Sequence, residues 1–131
     1  MASRFASKGP SQRQLRAGEL IRHALSEAFL RGEVHSPKIR GLDITVTEVR
    51  ASPDLKNATV YCTTLGGREV DAAIAKLNEA APAVRGVLGR KIDLKYTPTL
   101  VFRRDDSFDE AGKIDELLAR PNVRRDLSDD D

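Results

Sequence analysis

Residues 42–64 restrict the fold more than any other segment. Two runs rich in β-branched and aromatic residues, read as strands over roughly 42–50 and 56–64, are separated only by Ser52-Pro53-Asp54-Leu55 and its immediate neighbours. Such runs predict strands, and the Ser, Pro and Asp between them predict a tight reversal. So short a connection makes the strands antiparallel neighbours. In the second strand Ala58, Val60 and Cys62 share one face, opposite Thr59, Tyr61 and Thr63. The first alternates less cleanly, because Val46 and Val49 are three apart, and this predicts a bulge near Thr47 or Glu48.

Helical periodicity surrounds this pair. Ser11 with Gln14 fits a capping box, and Ala17, Ile21, Ala24, Leu25 and Ala28 form one apolar stripe, with Gly32 as a stop. After Gly66-Gly67, Glu69 and Asp71 suit a helix's first turn, and Val70, Ala73, Ile74 and Leu77 supply its stripe. Ala80-Ala81-Pro82 predicts a kink or restart, since Pro lacks a backbone donor and clashes with the preceding turn. Pro suits the first turn of a new helix, here one carrying Val84, Val87 and Leu88. A last strand is expected over 94–104, with Pro98 arguing for an edge position. Ser107 with Glu110 then fits the cap of a short helix reaching Leu118 and Ala119. The order α-β-β-α-α-β, with helices on one face of three strands, is an α+β two-layer sandwich. Its central strand is expected at 56–64, with 42–50 antiparallel and 94–104 parallel beside it. Residues 1–10 are expected to be a flexible N-terminus, 11–119 the folded domain and 120–131 a flexible acidic tail.

At 131 residues and 40% hydrophobic, the chain suits one domain with a modest core. No apolar run approaches the ~18 residues of a membrane span, and no apolar stretch follows Arg4 and Lys8 as in a secretory signal. The single Cys62 has no internal partner for a disulfide and reads as a small core residue. A soluble cytoplasmic monomer is the expectation. Charge is unevenly spread. Residues 1–40 hold eight Lys or Arg against three Glu, whereas residues 105–131 hold four basic residues against ten acidic ones. A basic body with an acidic tail suits a polyanion partner.

Candidate chemistry is sparse. There is no phosphate-cradling glycine motif. His23, His35 and Cys62 do not make a metal site, and Asp105-Asp106 has no His or Lys placed to assist acid–base work. No catalytic residue, cofactor or metal is assigned, and an enzyme is not expected. The positive signal is basic: Arg4, Lys8, Arg13, Arg16 and Arg22 near the N-terminus, Lys38 and Arg40 in the loop behind the first helix, Arg85, Arg90, Lys91 and Lys95 later, and Arg103 with Arg104 closing the last strand. Lys and Arg neutralise phosphates and release counterions, so these residues are the candidate RNA contacts. Phe29 and Phe102 read as core, leaving Tyr61 and Tyr96 as the aromatic residues able to meet a base, so sequence-specific stacking is not expected.

Three groups of residues, in order, give the chain a resemblance. They are Ser52, Asp54, Leu55, Ala58, Val60 and Tyr61; then Pro98, Leu100, Phe102, Asp105 and Ser107; then Gly112, Ile114, Leu117 and Leu118, one residue shorter than the usual spacing. In this pattern the chain resembles the bacterial ribosome-binding factor A family over roughly residues 10–118. The resemblance implies a type II KH-like fold, with Ala80-Ala81-Pro82 replacing the family's Ala-x-Gly helix kink. A KH domain usually grips nucleic acid with a Gly-x-x-Gly loop. The literal match Gly86-Val87-Leu88-Gly89 is rejected, because its middle residues continue the core stripe. The resemblance further implies a non-enzymatic assembly factor that binds immature 30S subunits and 16S rRNA, assists late maturation and growth in the cold, and has late-assembly GTPases as indirect partners. The alternative is another small-subunit RNA-binding protein, such as a hibernation factor or a structural ribosomal protein.

Overall fold

The computed structural model describes residues 9–107. Arg4, Lys8, the helix expected beyond Ser107 and the acidic tail lie outside the described residues. Helix α1 spans Gln12–Leu30, β1 Ile44–Ala51, β2 Asn57–Thr64, α2 Val70–Glu79, α3 Ala81–Lys91 and β3 Thr99–Arg104, with single 3-10 turns at Pro37–Ile39 and Leu65–Gly67. The sheet order is β1-β2-β3, with β1 antiparallel and β3 parallel to the central β2. This is the expected α+β two-layer sandwich of type II KH-like order.

Local chemistry sets the boundaries. The Ser11 hydroxyl accepts the Gln14 N–H at 3.1 Å, and the Gln14 carboxamide oxygen accepts the Ser11 N–H at 2.8 Å, which completes the capping box. The same Gln14 side chain donates to the Ala51 carbonyl at 2.9 Å and fastens the start of α1 to the end of β1. At the far end Gly32 takes φ +66°, its N–H bonding the Phe29 carbonyl while the Glu33 N–H reaches the Ala28 carbonyl. That pair of bonds is a Schellman stop. Glu69 stands just before α2 in left-handed backbone rather than inside its first turn, as the chain leaves the turn made by Gly66 and Gly67, both at positive φ.

The β1–β2 register shifts between Val46 and Glu48. The extra residue at Thr47 lets Val46 and Val49, three apart, both face the helices. They join Ala51, Ala58, Val60, Cys62, Leu100 and Phe102 on the covered side of the sheet. Against them pack Ile21, Leu25, Leu77, Val84 and Leu88, all fully buried. Burial pushes the Cys62 thiol up to about 12, so it stays protonated and behaves as an apolar core atom. Gly18 is buried where α1 crosses β1, and a Cβ there would meet the Val49 carbonyl oxygen at 2.5 Å. Gly18→Ala therefore forces α1 off the sheet. Overpacking of this kind costs about 1–3 kcal/mol, and the expected readout is a melting temperature lowered by roughly 4–20 °C. A variant melting with the native protein would contradict this close approach.

The break between α2 and α3 falls where expected. The Ala80 N–H bonds the Lys76 and Leu77 carbonyls, its own carbonyl accepts the Val84 N–H, and α3 restarts at Ala81. Pro82 occupies the first turn of α3, where a missing N–H costs little. Val87 and Leu88 lie buried within α3, so Gly86-Val87-Leu88-Gly89 is helix rather than loop. Strand β3 starts at Thr99, five residues later than expected. Pro98 cannot donate, and Arg85 takes the Thr97 and Pro98 carbonyls, so pairing begins only where the Thr99 N–H reaches the Lys56 carbonyl. The outer edge of β3 is closed in its middle by Asn78, whose carboxamide donates to the Phe102 carbonyl at 3.0 Å and accepts the Phe102 N–H at 2.8 Å. That reciprocal pair imitates a neighbouring strand.

Candidate nucleic-acid interface

Two grooves meet at Lys95 and Tyr96. The larger, about 1050 Å³, lies between the first half of α1, the β1–β2 turn and the segment before β3. Ala17, Leu20, Leu55 and Leu94 give it an apolar lining, and Arg13, Arg16, Lys56 and Lys95 supply cations. The smaller, about 570 Å³, runs from Lys95 and Tyr96 to Ala81 and Pro82 at the helix break, past Arg85 and Gly86.

The turn motif builds one wall of the larger groove. The Ser52 hydroxyl donates to Asp54 Oδ1 at 2.7 Å, the Lys56 N–H donates to the same oxygen at 3.0 Å, and the Asn57 N–H bonds the Ser52 hydroxyl. These bonds hold the Asp54 carboxyl below its ordinary value, the Ser52 contact contributing most. They also hold Leu55 at φ +60°, a left-handed conformation that a branched residue adopts only when its surroundings impose it. Tyr96 is shared with the smaller groove, where Arg85 Nη2 donates to the Thr97 carbonyl at 2.6 Å and its guanidinium lies 5.5 Å from the Tyr96 ring centre. Tyr96 is braced on that side, yet 46% of it remains exposed.

The cations named from sequence separate into distinct environments. Arg13, Arg16 and Lys95 line the larger groove and make no ion pair among the described residues. Arg22 is held bidentate by Glu19 at 2.8 and 3.1 Å. Lys38 pairs with Glu79 at 3.4 Å, one residue before Ala80 at the kink. Lys91 sits between Glu33 at 2.8 Å and Glu27 at 2.9 Å, so its charge is already met within the fold. These carboxylates, Glu33 first, raise the Lys91 ammonium above its ordinary value. Arg85 braces Tyr96, and Arg104 pairs with Asp71 and Asp106. Arg40 and Arg90 are exposed, in the loop behind α1 and the last turn of α3. Arg103 projects from the opposite, open side of the sheet beside Tyr61, over which Arg50 lies at 5.6 Å. The sheet therefore separates Arg103 from the groove cations.

The carboxylates at the end of β3 are structural. Asp105 accepts the Ser107 N–H and hydroxyl and the Thr47 hydroxyl, and so ties the strand end to the β1 bulge. These contacts, Ser107 first, hold its carboxyl below the ordinary value. Among the described residues no three His, Cys, Asp or Glu side chains cluster as metal ligands, and no helix is long and apolar enough to cross a membrane. Lys56 and Leu55 are groove residues that no sequence pattern above marks as such. The signal available for Leu55 was its place directly after the Ser-x-Asp bonds that fix the turn.

The fold and the grooves define a type II KH-like module whose helical side carries unpaired cations around an apolar concavity. A family model described as ribosome-binding factor A matches residues 13–118. The chain is 52% identical to the ribosome-binding factor A of Phenylobacterium zucineum over 92% of its own length and 83% of that relative. It resembles the crystal structure of ribosome-binding factor A from Thermus thermophilus with a TM-score of 0.57 and 25% identity, over 70% of this chain and 94% of that one. A Thermus thermophilus homology model fitted into a cryo-EM map of a 30S complex matches with a TM-score of 0.52 and 25% identity, over 66% of this chain and 89% of that one. The chain belongs to the ribosome-binding factor A family.

Proposed function

We propose that this protein binds the immature 30S subunit through 16S rRNA and assists its late maturation, including in the cold. The observation that carries the reading is the set of unpaired cations, Arg13, Arg16, Lys56 and Lys95, around one groove of a family member. Their phosphate contacts would supply most of the affinity, and the shape of the module would decide where it docks. A ligand that prefers one rRNA arrangement shifts the population toward it without catalysing a bond change. Weakening of the same contacts would release the factor, with late-assembly GTPases as indirect partners in that step. Arg22, Lys38 and Lys91 contribute less in this account, because carboxylates already meet their charges.

Sucrose-gradient co-sedimentation with immature and mature 30S particles tests this function. The expected result is retention on immature particles and depletion from mature ones. Equal retention on both would replace the assembly role with that of a hibernation factor or structural ribosomal protein.

A further inference from the structure

The larger groove has features that phosphate binding alone does not require. A duplex presents phosphates and shallow groove edges, and side chains on a flat surface suffice to meet them. Here the cations stand around an apolar concavity formed by Leu20, Leu55 and Leu94, and Leu20 is 43% exposed. Tyr96 lies at the same place, half exposed and braced by Arg85, whose guanidinium is itself fixed by the Thr97 and Pro98 carbonyls. An aromatic ring held in this way loses little freedom when a second ring stacks on it. Among nucleic-acid parts, an unstacked base combines a flat apolar face with phosphates on either side.

We propose that this groove takes an unpaired nucleotide of single-stranded RNA, its base stacking on Tyr96 and its flanking phosphates meeting Arg13, Arg16, Lys56 and Lys95. The proposal deepens the functional reading above and rests on it. The two acidic groups at the groove do not cancel the cations. Glu19 is paired with Arg22, and Asp54, kept ionised by the Ser52 hydroxyl, the Lys56 N–H and the nearby Lys56 ammonium, offsets one of the four groove cations and leaves the other three in excess. A stacking platform of this kind is tolerant of base identity, because every base has a π-face.

The test is a fluorescence-anisotropy titration of the full chain with a short mixed-sequence oligoribonucleotide, single-stranded and annealed to its complement, beside 30S co-sedimentation. The single strand is expected to bind at least about tenfold more tightly than the duplex. Tyr96→Ala is expected to lose about tenfold of single-strand affinity, and Tyr96→Phe to retain it, because the ring remains. Quenching of Tyr96 emission by the single strand, read in a Tyr61→Phe background that leaves Tyr96 as the one tyrosine of this Trp-free chain, is the spectroscopic signature. Circular dichroism of each variant separates lost binding from lost folding, and if Tyr96→Ala does not fold, the Tyr96 quench decides. Equal affinity for single strand and duplex, no effect of Tyr96→Ala in a folded variant, or absence of the quench overturns the proposal. If the native chain meanwhile sediments with 30S particles, only the base-binding inference fails and the groove faces duplex phosphates or a protein segment. If it does not sediment, the functional reading itself fails.

Discussion

Val60→Asp is expected to leave no cooperatively folded protein. Val60 is fully buried in the central strand, paired with Val49 on one side and Phe102 on the other, beneath the helices. Among the described residues no polar or charged side chain is buried in that layer. An ionised carboxylate there costs several kcal/mol, against a total stability of about 5–15 kcal/mol for a domain. Protonation would relieve the charge but leave an unbonded carboxyl, which still costs a few kcal/mol. Thr59→Asp is the control, because it places the same group one residue away on the open side of the sheet. The expected result is a sharp melt for Thr59→Asp and none for Val60→Asp. A cooperative melt for both would mean that the covered side of β2 has been misplaced.

Binding to 30S particles is expected to fall by about 10³ between about 50 and 200 mM salt, if roughly six phosphates are contacted. The groove cations make no ion pair among the described residues, so each can release counterions on meeting a phosphate. A residue such as Lys91, fixed between two carboxylates, would add little to that slope. Lys91→Met is therefore expected to leave the slope unchanged, while Lys95→Met lowers it by nearly one unit per decade of salt. The check is the slope of log affinity against log salt for the three proteins. A flat dependence for the native chain would remove phosphate contact as the source of affinity.

What the sequence discloses is local. The capping box at Ser11, the bulge implied by the spacing of Val46 and Val49, and the restart at Pro82 each depend on residues close in the chain, and each is found. Strand order follows from the same logic, since a short turn forces antiparallel pairing and a two-helix crossover permits parallel pairing. The start of β3 is not legible, because Lys95-Tyr96-Thr97 has strand-like composition while Arg85, ten or more residues earlier, removes the carbonyls a strand would use. Lys91 and Lys95 look alike in a basic run. Only packing sets the first beside Glu33 and Glu27 and the second at a groove. The groove itself joins residues from α1, the 52–56 turn and the segment before β3, which meet because the parallel register sets Asn57 beside Thr99. No spacing rule within a single segment announces that meeting. Gly18 is another such case, since its need for a missing side chain becomes visible only against the Val49 carbonyl.

The unpaired cations at the start of α1 are expected to hold this factor on the small subunit. The deciding measurement is co-sedimentation of the native chain and of Arg13→Glu with Arg16→Glu on immature 30S particles at one moderate salt. Both residues are exposed near the start of α1, away from its buried stripe, so the double variant is expected to keep the native melting curve. The native protein is expected to travel with the particles, and the double variant to stay near the top of the gradient. A folded double variant that travels with the particles as the native protein does would contradict this expectation, and would place the subunit-binding surface away from α1.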